Sequence, residues 1–211
     1  METREVTKAI ALRLYDGDAP GVAQLVQDAI DQGLAPQVLL NEGLLSGMDR
    51  VGQEFQRGEL FVPELIVAAR AMHAGLDLLR PLLGSGDGAV GTIVIGTVKG
   101  DLHDIGKRLV GIMMEGAGLR VVDLGHDVAP QRFVEEARRE GADLVGLSAL
   151  LSTTMPMMRD TIRALTEAGL QARTLVGGAP VTQAWADEIG ADGYAADAVA
   201  AAARAKELLG R

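Results

Sequence analysis

Asp101-Leu102-His103 sets a carboxylate two residues before an imidazole, inside the stretch Thr97-Val98-Lys99-Gly100-Asp101-Leu102-His103-Asp104-Ile105-Gly106. A histidine whose second ring N–H is accepted by a carboxylate is the usual arrangement of a metal-ligating imidazole, because the acid fixes both tautomer and ring orientation. The plainer alternative is a surface histidine among charged neighbours. Two other runs carry residues that can line a ligand. Gly146-Leu147-Ser148-Ala149-Leu150-Leu151-Ser152-Thr153-Thr154 supplies hydroxyls at Ser148, Ser152 and Thr154. Leu175-Val176-Gly177-Gly178-Ala179-Pro180 supplies bare backbone. Such hydroxyls also serve as helix caps, and such glycines as turns that need a positive φ. His73 and His126 are the remaining histidines. His73 reads as a surface or core side chain of a helix, and His126 as a residue at the rim of the same crevice.

These runs must be placed by strands and helices. From residue 89 to 211 the sequence alternates apolar runs with amphipathic ones. The pattern predicts strands near 90–97, 119–124, 142–148, 172–176 and 192–195, with helices near 104–117, 130–140, 155–169, 180–189 and 197–209. Repeated strand–helix units joined by short connections indicate a parallel sheet covered on both faces. Five strands favour the flavodoxin-like order 2-1-3-4-5, in which ligands bind at the carboxyl ends of strands 1 and 3. The three runs fall at the carboxyl ends of strands 1, 3 and 4.

Four helical segments are read before that sheet: Arg4 to Tyr15, Ala19 to Gly33, a third after Pro36 to Gly58, and Phe61 to Leu83. Short connections make them antiparallel neighbours in a four-helix bundle. Phe55, Phe61, Val62 and Leu65 crowd the last helix–helix junction. Phe61 is expected in the bundle core; the others are either core or point outward to shield a ligand. A glycine-rich run, Gly84-Ser85-Gly86-Asp87-Gly88, separates the two parts. The expected organisation is a helical cap domain at 1–84, a linker at 85–88 and an α/β domain at 89–211.

Composition narrows the function. Cysteine is absent, which removes disulfides, thiolate metal sites and cysteine nucleophiles. A net charge of −9 with 3% aromatic residues argues against nucleic acid as a partner. No apolar run reaches the roughly 18 residues of a membrane span, and the first residues lack a signal-peptide pattern, so a cytoplasmic protein is expected. Neither G-x-G-x-x-G nor G-x-x-x-x-G-K-[ST] occurs, so neither dinucleotide nor nucleoside triphosphate is indicated.

Taken together, the motifs resemble the cobalamin-binding module of methionine synthase and the corrinoid proteins of methylamine- and methanol-type methyltransferase systems. The resemblance rests on D-x-H-x-x-G at Asp101-Leu102-His103-Asp104-Ile105-Gly106 and on S-x-L at Ser148-Ala149-Leu150. It rests also on the double glycine Gly177-Gly178, and on the cap signature Val51-Gly52-Gln53-Glu54-Phe55 followed by Phe61-Val62-Pro63. It implies an N-terminal four-helix bundle cap followed by a flavodoxin/Rossmann-like five-stranded parallel sheet.

The resemblance further implies cobalamin, as methylcobalamin in the charged state, bound base-off with His103 as the lower ligand of cobalt. Asp101 would accept the other imidazole N–H, and Thr154 would hydrogen-bond that carboxylate. The displaced nucleotide tail would thread between strands 1 and 3, lined by Ser148, Leu150, Ser152, Gly177 and Gly178 and closed by Tyr194. Phe55, Val62 and Leu65 would shield the upper face. The family more often has leucine at the position of Val62. Proton uptake by the His103–Asp101 pair is expected to accompany demethylation.

The implied role is a methyl-carrier subunit rather than a complete enzyme. A substrate-specific corrinoid methyltransferase would load it, and a second methyltransferase would pass the methyl group to tetrahydrofolate or coenzyme M. A reductive activator would restore inactive cobalt. Two alternatives share the sheet. An adenosylcobalamin mutase subunit normally lacks the helical cap that 36–65 provides here. A cobalamin-sensing regulator would carry a DNA-binding domain before the bundle and a cap tryptophan, whereas the only tryptophan is Trp185.

Overall fold

The computed structural model describes residues 3–83 and 89–210; the expected linker at 85–88 lies outside the described residues. The chain divides into two compact units: Met1–Ala89 with Gly116–Gly118, and Val90–Glu115 with Leu119–Arg211.

The first unit is helical. In α1 (Thr3–Tyr15) the apolar residues Val6, Ile10 and Leu14 recur every fourth position and are all buried. This is the stripe a helix needs to pack against a partner. Gly17 turns the chain at φ +71, and the Asp18 carboxylate accepts the Gly21 N–H to cap α2 (Ala19–Asp31). The third helical stretch runs from α3 (Pro36–Val38) through a π-helical segment (Leu39–Leu45) into α4 (Ser46–Gln56). The expected uniform helix is therefore wound differently at Leu39–Leu45, a change that leaves no mark on apolar spacing because the buried leucines keep a helical pattern. It stops before Gly58, which holds φ +74 just past the C-cap, as helix-terminating glycines do. The last helix, α5 (Val62–Leu83), buries Leu65, Ala69, Met72 and Leu79 and packs on α2.

Phe61 corrects an expectation: it is 66% exposed rather than part of the bundle core. It is the N-cap residue of α5, with its N–H accepted by Glu64 Oε2 at 2.9 Å and its carbonyl accepting the Leu65 N–H at 3.1 Å. A residue held at the cap lies before the helical stripe that packs inward.

The second unit is a five-stranded parallel sheet in the expected order, β2-β1-β3-β4-β5. Its strands are β1 (Thr92–Thr97), β2 (Arg120–Asp123), β3 (Leu144–Ser148), β4 (Arg173–Gly177) and β5 (Gly193–Ala195). Between and after them lie α6 (Ile105–Gly116), α7 (Pro130–Glu140), α8 (Pro156–Glu167), α9 (Gln183–Ile189) and α10 (Ala198–Leu208). Val94, Val145, Leu147 and Val176 on the strands pack with Phe133 of α7 and Met158 of α8 into one core. Helix α9 begins at Gln183, not at 180, because Thr182 is its cap and accepts the Trp185 N–H at 3.2 Å.

Strand order reverses at β1, which pairs with β2 on one side and β3 on the other. The β1–α6 and β3–α8 loops leave the sheet in opposite directions there, opening a crevice at the carboxyl edge.

Candidate functional site

Asp101 sits at that crevice with no solvent exposure. Its Oδ1 accepts the backbone N–H of His103 at 3.1 Å and faces the His103 ring nitrogen Nδ1 at 2.7 Å. Its Oδ2 accepts the Leu150 N–H at 2.8 Å, the Leu151 N–H at 3.2 Å and the Thr154 hydroxyl at 2.7 Å. Burial pushes this carboxyl up. The hydrogen bonds from Thr154, His103 and Leu150 outweigh that effect and hold it well below the usual carboxylate range. An ionised Asp101 accepts only, so the shared proton rests on Nδ1. His103 Nε2 is left as a free lone pair, and its side chain is 51% exposed. Among the described residues Nε2 has no hydrogen-bond partner.

The loop that presents His103 is held from the sheet side as well. Thr97, the last residue of β1, donates its hydroxyl to the His103 carbonyl at 2.9 Å. Around the imidazole, Leu102 and Ile105 are 66% and 76% exposed, and Leu150 and Leu151 are also exposed. Four large apolar side chains left in water beside one unpaired imidazole nitrogen make a surface suited to a flat apolar ring system with a metal at its centre.

The other expected residues divide by what holds them. Asp104 starts α6, and its Oδ2 accepts Arg108 Nε at 2.7 Å, so it is engaged on the helix rather than beside the imidazole. Gly106 lies in the first turn of α6, and a Cβ built there meets nothing within 4 Å. Neither packing nor backbone requires glycine at that position. Gly178 is the opposite case: at φ +131, a Cβ would lie 1.9 Å from the Ala149 carbonyl oxygen, so the fold itself demands glycine. Gly177 ends β4 between Ser148 and Ala195. Ser148 is partly buried and Ser152 exposed. Neither caps α8, whose N-cap is Met155 without a side-chain bond. Tyr194 packs against the sheet core. In the first unit, Phe55 and Val62 are partly buried and Leu65 is fully buried. His126 is exposed on the β2–α7 loop.

Two contributions escape sequence reading. The Leu150 and Leu151 bonds come from backbone N–H groups, which carry no residue signature. Asp127 meets the His103 loop through its backbone and side chain in a left-handed conformation, at φ +55. Only its position one residue after His126, in a loop ending a strand, could have pointed to it.

No group of three or more histidine, cysteine or carboxylate side chains able to hold a metal occurs among the described residues. A metal here would bring its own equatorial ligands and take one axial nitrogen from the protein. The free Nε2, the apolar surround and the vacant space over Gly106 fit such a group. Known proteins agree in class. Residues 91–203 match one B12 binding domain, and residues 6–80 match a second, separately described B12 binding domain. The fold and loop therefore define a B12-binding protein with a helical domain before its sheet. A dimethylamine corrinoid protein of Methanosarcina acetivorans is 51% identical over 83% of this chain and 84% of its own length. One from Methanosarcina barkeri is 43% identical over 99% of this chain and 100% of its own. A chain of the methanol:cobalamin methyltransferase complex of Methanosarcina barkeri matches with a TM-score of 0.89 at 29% identity, over 98% of this chain and 80% of that chain. The chain belongs to the B12-binding corrinoid proteins of methyltransferase systems. Among the described residues no helix is long and apolar enough to cross a membrane.

Proposed function

We propose that this protein carries a methyl group on the cobalt of a base-off corrinoid, with His103 Nε2 as the axial protein ligand. The observation that carries the reading is the 2.7 Å contact between His103 Nδ1 and the fully buried, ionised Asp101. It leaves one imidazole nitrogen protonated and committed, and the other unpaired and facing solvent. When bound, the corrinoid supplies a cobalt centre that accepts a methyl group from a donor and releases it to an acceptor. The chain's own residues bind, orient and shield.

Asp101 keeps the imidazole in the Nδ1–H tautomer and leaves Nε2 as the ligating nitrogen. Thr154 and the Leu150 and Leu151 amides keep Asp101 ionised and fixed in place. Leu102, Ile105 and Leu150 offer an apolar seat for the ring. Gly106 leaves room at the start of α6 for the nucleotide tail, which continues past Ser148, Ser152, Gly177, Gly178 and Tyr194. Phe55 and Val62, both partly buried, are the residues proposed to shield the upper face, while Leu65 is fully buried.

The carrier works between two enzymes: a substrate:corrinoid methyltransferase, and a second methyltransferase acting on tetrahydrofolate or coenzyme M. A reductive activator returns oxidised cobalt to the cycle. The names of relatives at 43–51% identity favour a methylated amine as donor. The test is methylation of the cob(I)alamin-loaded protein by a dimethylamine:corrinoid methyltransferase, with methanol and glycine betaine systems beside it. Transfer in one of these systems is expected; a loaded protein that is never methylated by any of them contradicts the carrier role.

A further inference from the structure

Asp127 is the only non-glycine residue with a positive φ among the described residues, at +55. A left-handed non-glycine residue is uncommon, and when the surrounding structure holds it there the cause is worth seeking. Here the cause is contact with the histidine loop. Asp127 Oδ1 accepts the Gly100 N–H at 2.7 Å, and the Asp127 N–H donates to the Asp101 carbonyl at 3.0 Å. The two bonds hold the peptide groups on either side of the Gly100–Asp101 segment, Lys99–Gly100 through its N–H and Asp101–Leu102 through its carbonyl. That segment lies directly before Leu102 and His103; Gly100 is exposed, so water would otherwise satisfy its N–H, whereas Asp101 is buried.

The grip is anchored to the sheet. Past the end of β2, the Thr97 N–H donates to Gly125 O at 3.0 Å and the Val128 N–H donates to Thr97 O at 3.0 Å. Val98 and Val128 form a parallel bridge. Asp127 thus directly precedes Val128 of an isolated bridge beyond the β1–β2 ladder, and its left-handed turn aims both its N–H and its carboxylate at the neighbouring loop. Asp101 is fixed by its side chain to the β3–α8 loop and, through Asp127, by its backbone to the β2–α7 loop. With both fixed, the Asp101–His103 pair has one orientation.

We infer that Asp127 is a positioning residue for His103: by clamping the Gly100 N–H and the Asp101 carbonyl it sets where the axial imidazole is presented to a corrinoid. This rests on the reading of His103 as the axial ligand. Asp127 does not itself touch the ring or a metal.

Two substitutions separate the clamp from the backbone conformation. Glycine adopts φ +55 freely but supplies no acceptor, so Asp127→Gly removes the side-chain bond without adding strain. Asparagine also tolerates the left-handed region and keeps an acceptor oxygen, so Asp127→Asn retains the clamp without the charge. In the corrinoid-free protein, hydrogen exchange at the Gly100 amide should be about tenfold faster in Asp127→Gly than in wild type, and near wild type in Asp127→Asn. In cob(II)alamin-loaded protein, the nitrogen superhyperfine splitting that reports axial imidazole should weaken in Asp127→Gly and return in Asp127→Asn. An Asp127→Gly protein with wild-type exchange and wild-type splitting overturns the inference. So does an Asp127→Asn protein that fails as the glycine variant does, since charge rather than the clamp would then be at work. Wild-type protein without nitrogen splitting overturns the reading of His103 itself, whatever the exchange at Gly100.

Discussion

The Thr154 hydroxyl lies 2.7 Å from Asp101 Oδ2, joining residues 53 apart in sequence across the β1–β3 switch point. The same hydroxyl is 2.9 Å from the Leu151 carbonyl, but it has one proton, and the ionised carboxylate is the stronger acceptor. Removing this donor leaves a buried carboxylate with one bond fewer. Thr154→Val, which keeps the shape, should cost about 1.5–3 kcal/mol in urea denaturation, and Thr154→Ser less than about 1 kcal/mol. A loss in Thr154→Ser that exceeds the loss in Thr154→Val would show that the methyl group, not the hydroxyl, matters.

Asp101→Asn is not conservative here. Each Asp101 oxygen faces at least two N–H groups, so the new amide NH2 must oppose donors whichever way it turns. Facing Leu150 and Leu151, it sets a donor against two part-buried amides that lose their acceptor. Facing His103, it favours the other imidazole tautomer and occupies Nε2 with a proton. Either way we expect a loss of about 3 kcal/mol in stability together with weakened corrinoid retention, measured on the same preparation.

Two glycines of the site should respond oppositely. Gly106→Ala adds a side chain into open space within a helix and should stabilise the corrinoid-free protein by about 0.5–1 kcal/mol while reducing corrinoid retention. Gly178→Ala meets the Ala149 carbonyl at a φ that alanine avoids, and should destabilise by more than about 3 kcal/mol. Thermal melts of the two variants without corrinoid give the sign of each effect.

Away from the site, Asp192 ties β4 to β5. It accepts the Thr174 N–H at 2.8 Å, the Thr174 hydroxyl at 3.0 Å and Arg173 Nη1 at 2.8 Å. Burial pushes its carboxyl up, but the Thr174 amide and the Arg173 guanidinium prevail and hold it below its ordinary value. A carboxylate depressed in the folded state adds stability that is present above the unfolded value near 3.8 and is lost as pH falls through the folded one. Stability of the corrinoid-free protein should therefore fall below about pH 4, and fall less steeply in Asp192→Ala. Identical slopes for the two would remove Asp192 from the account.

The shield proposed for the upper face includes Val62, one methylene shorter than the leucine that the family resemblance implies there. The methylcobalamin-loaded protein should lose its methyl group to light faster than a Val62→Leu variant does, because a smaller shield traps the radical pair less well. Equal photolysis rates would exclude a shielding difference at this position.

Much of this was legible in the sequence. The valine- and isoleucine-rich strands stand out because both faces of a parallel sheet are buried, and their order follows from the strand–helix alternation. The spacing of Asp101 and His103 is short enough for one loop to join them without tertiary help. What was hidden depends on backbone. The Leu150 and Leu151 amides act without their side chains, and Asp127 works through a φ that many sequences could adopt. Leu39–Leu45 widens its turn without changing which leucines recur, and Phe61 reads as core because an N-cap residue sits one step outside the stripe that continues from it.

The most direct test is the visible spectrum of protein refolded with hydroxocobalamin and desalted, wild type beside His103→Ala. We predict a corrin spectrum retained by the wild type and altered in the variant, as loss of an axial imidazole requires. A wild type that retains no corrin, or a variant with the wild-type spectrum, would contradict the assignment of His103 as the ligand of cobalt.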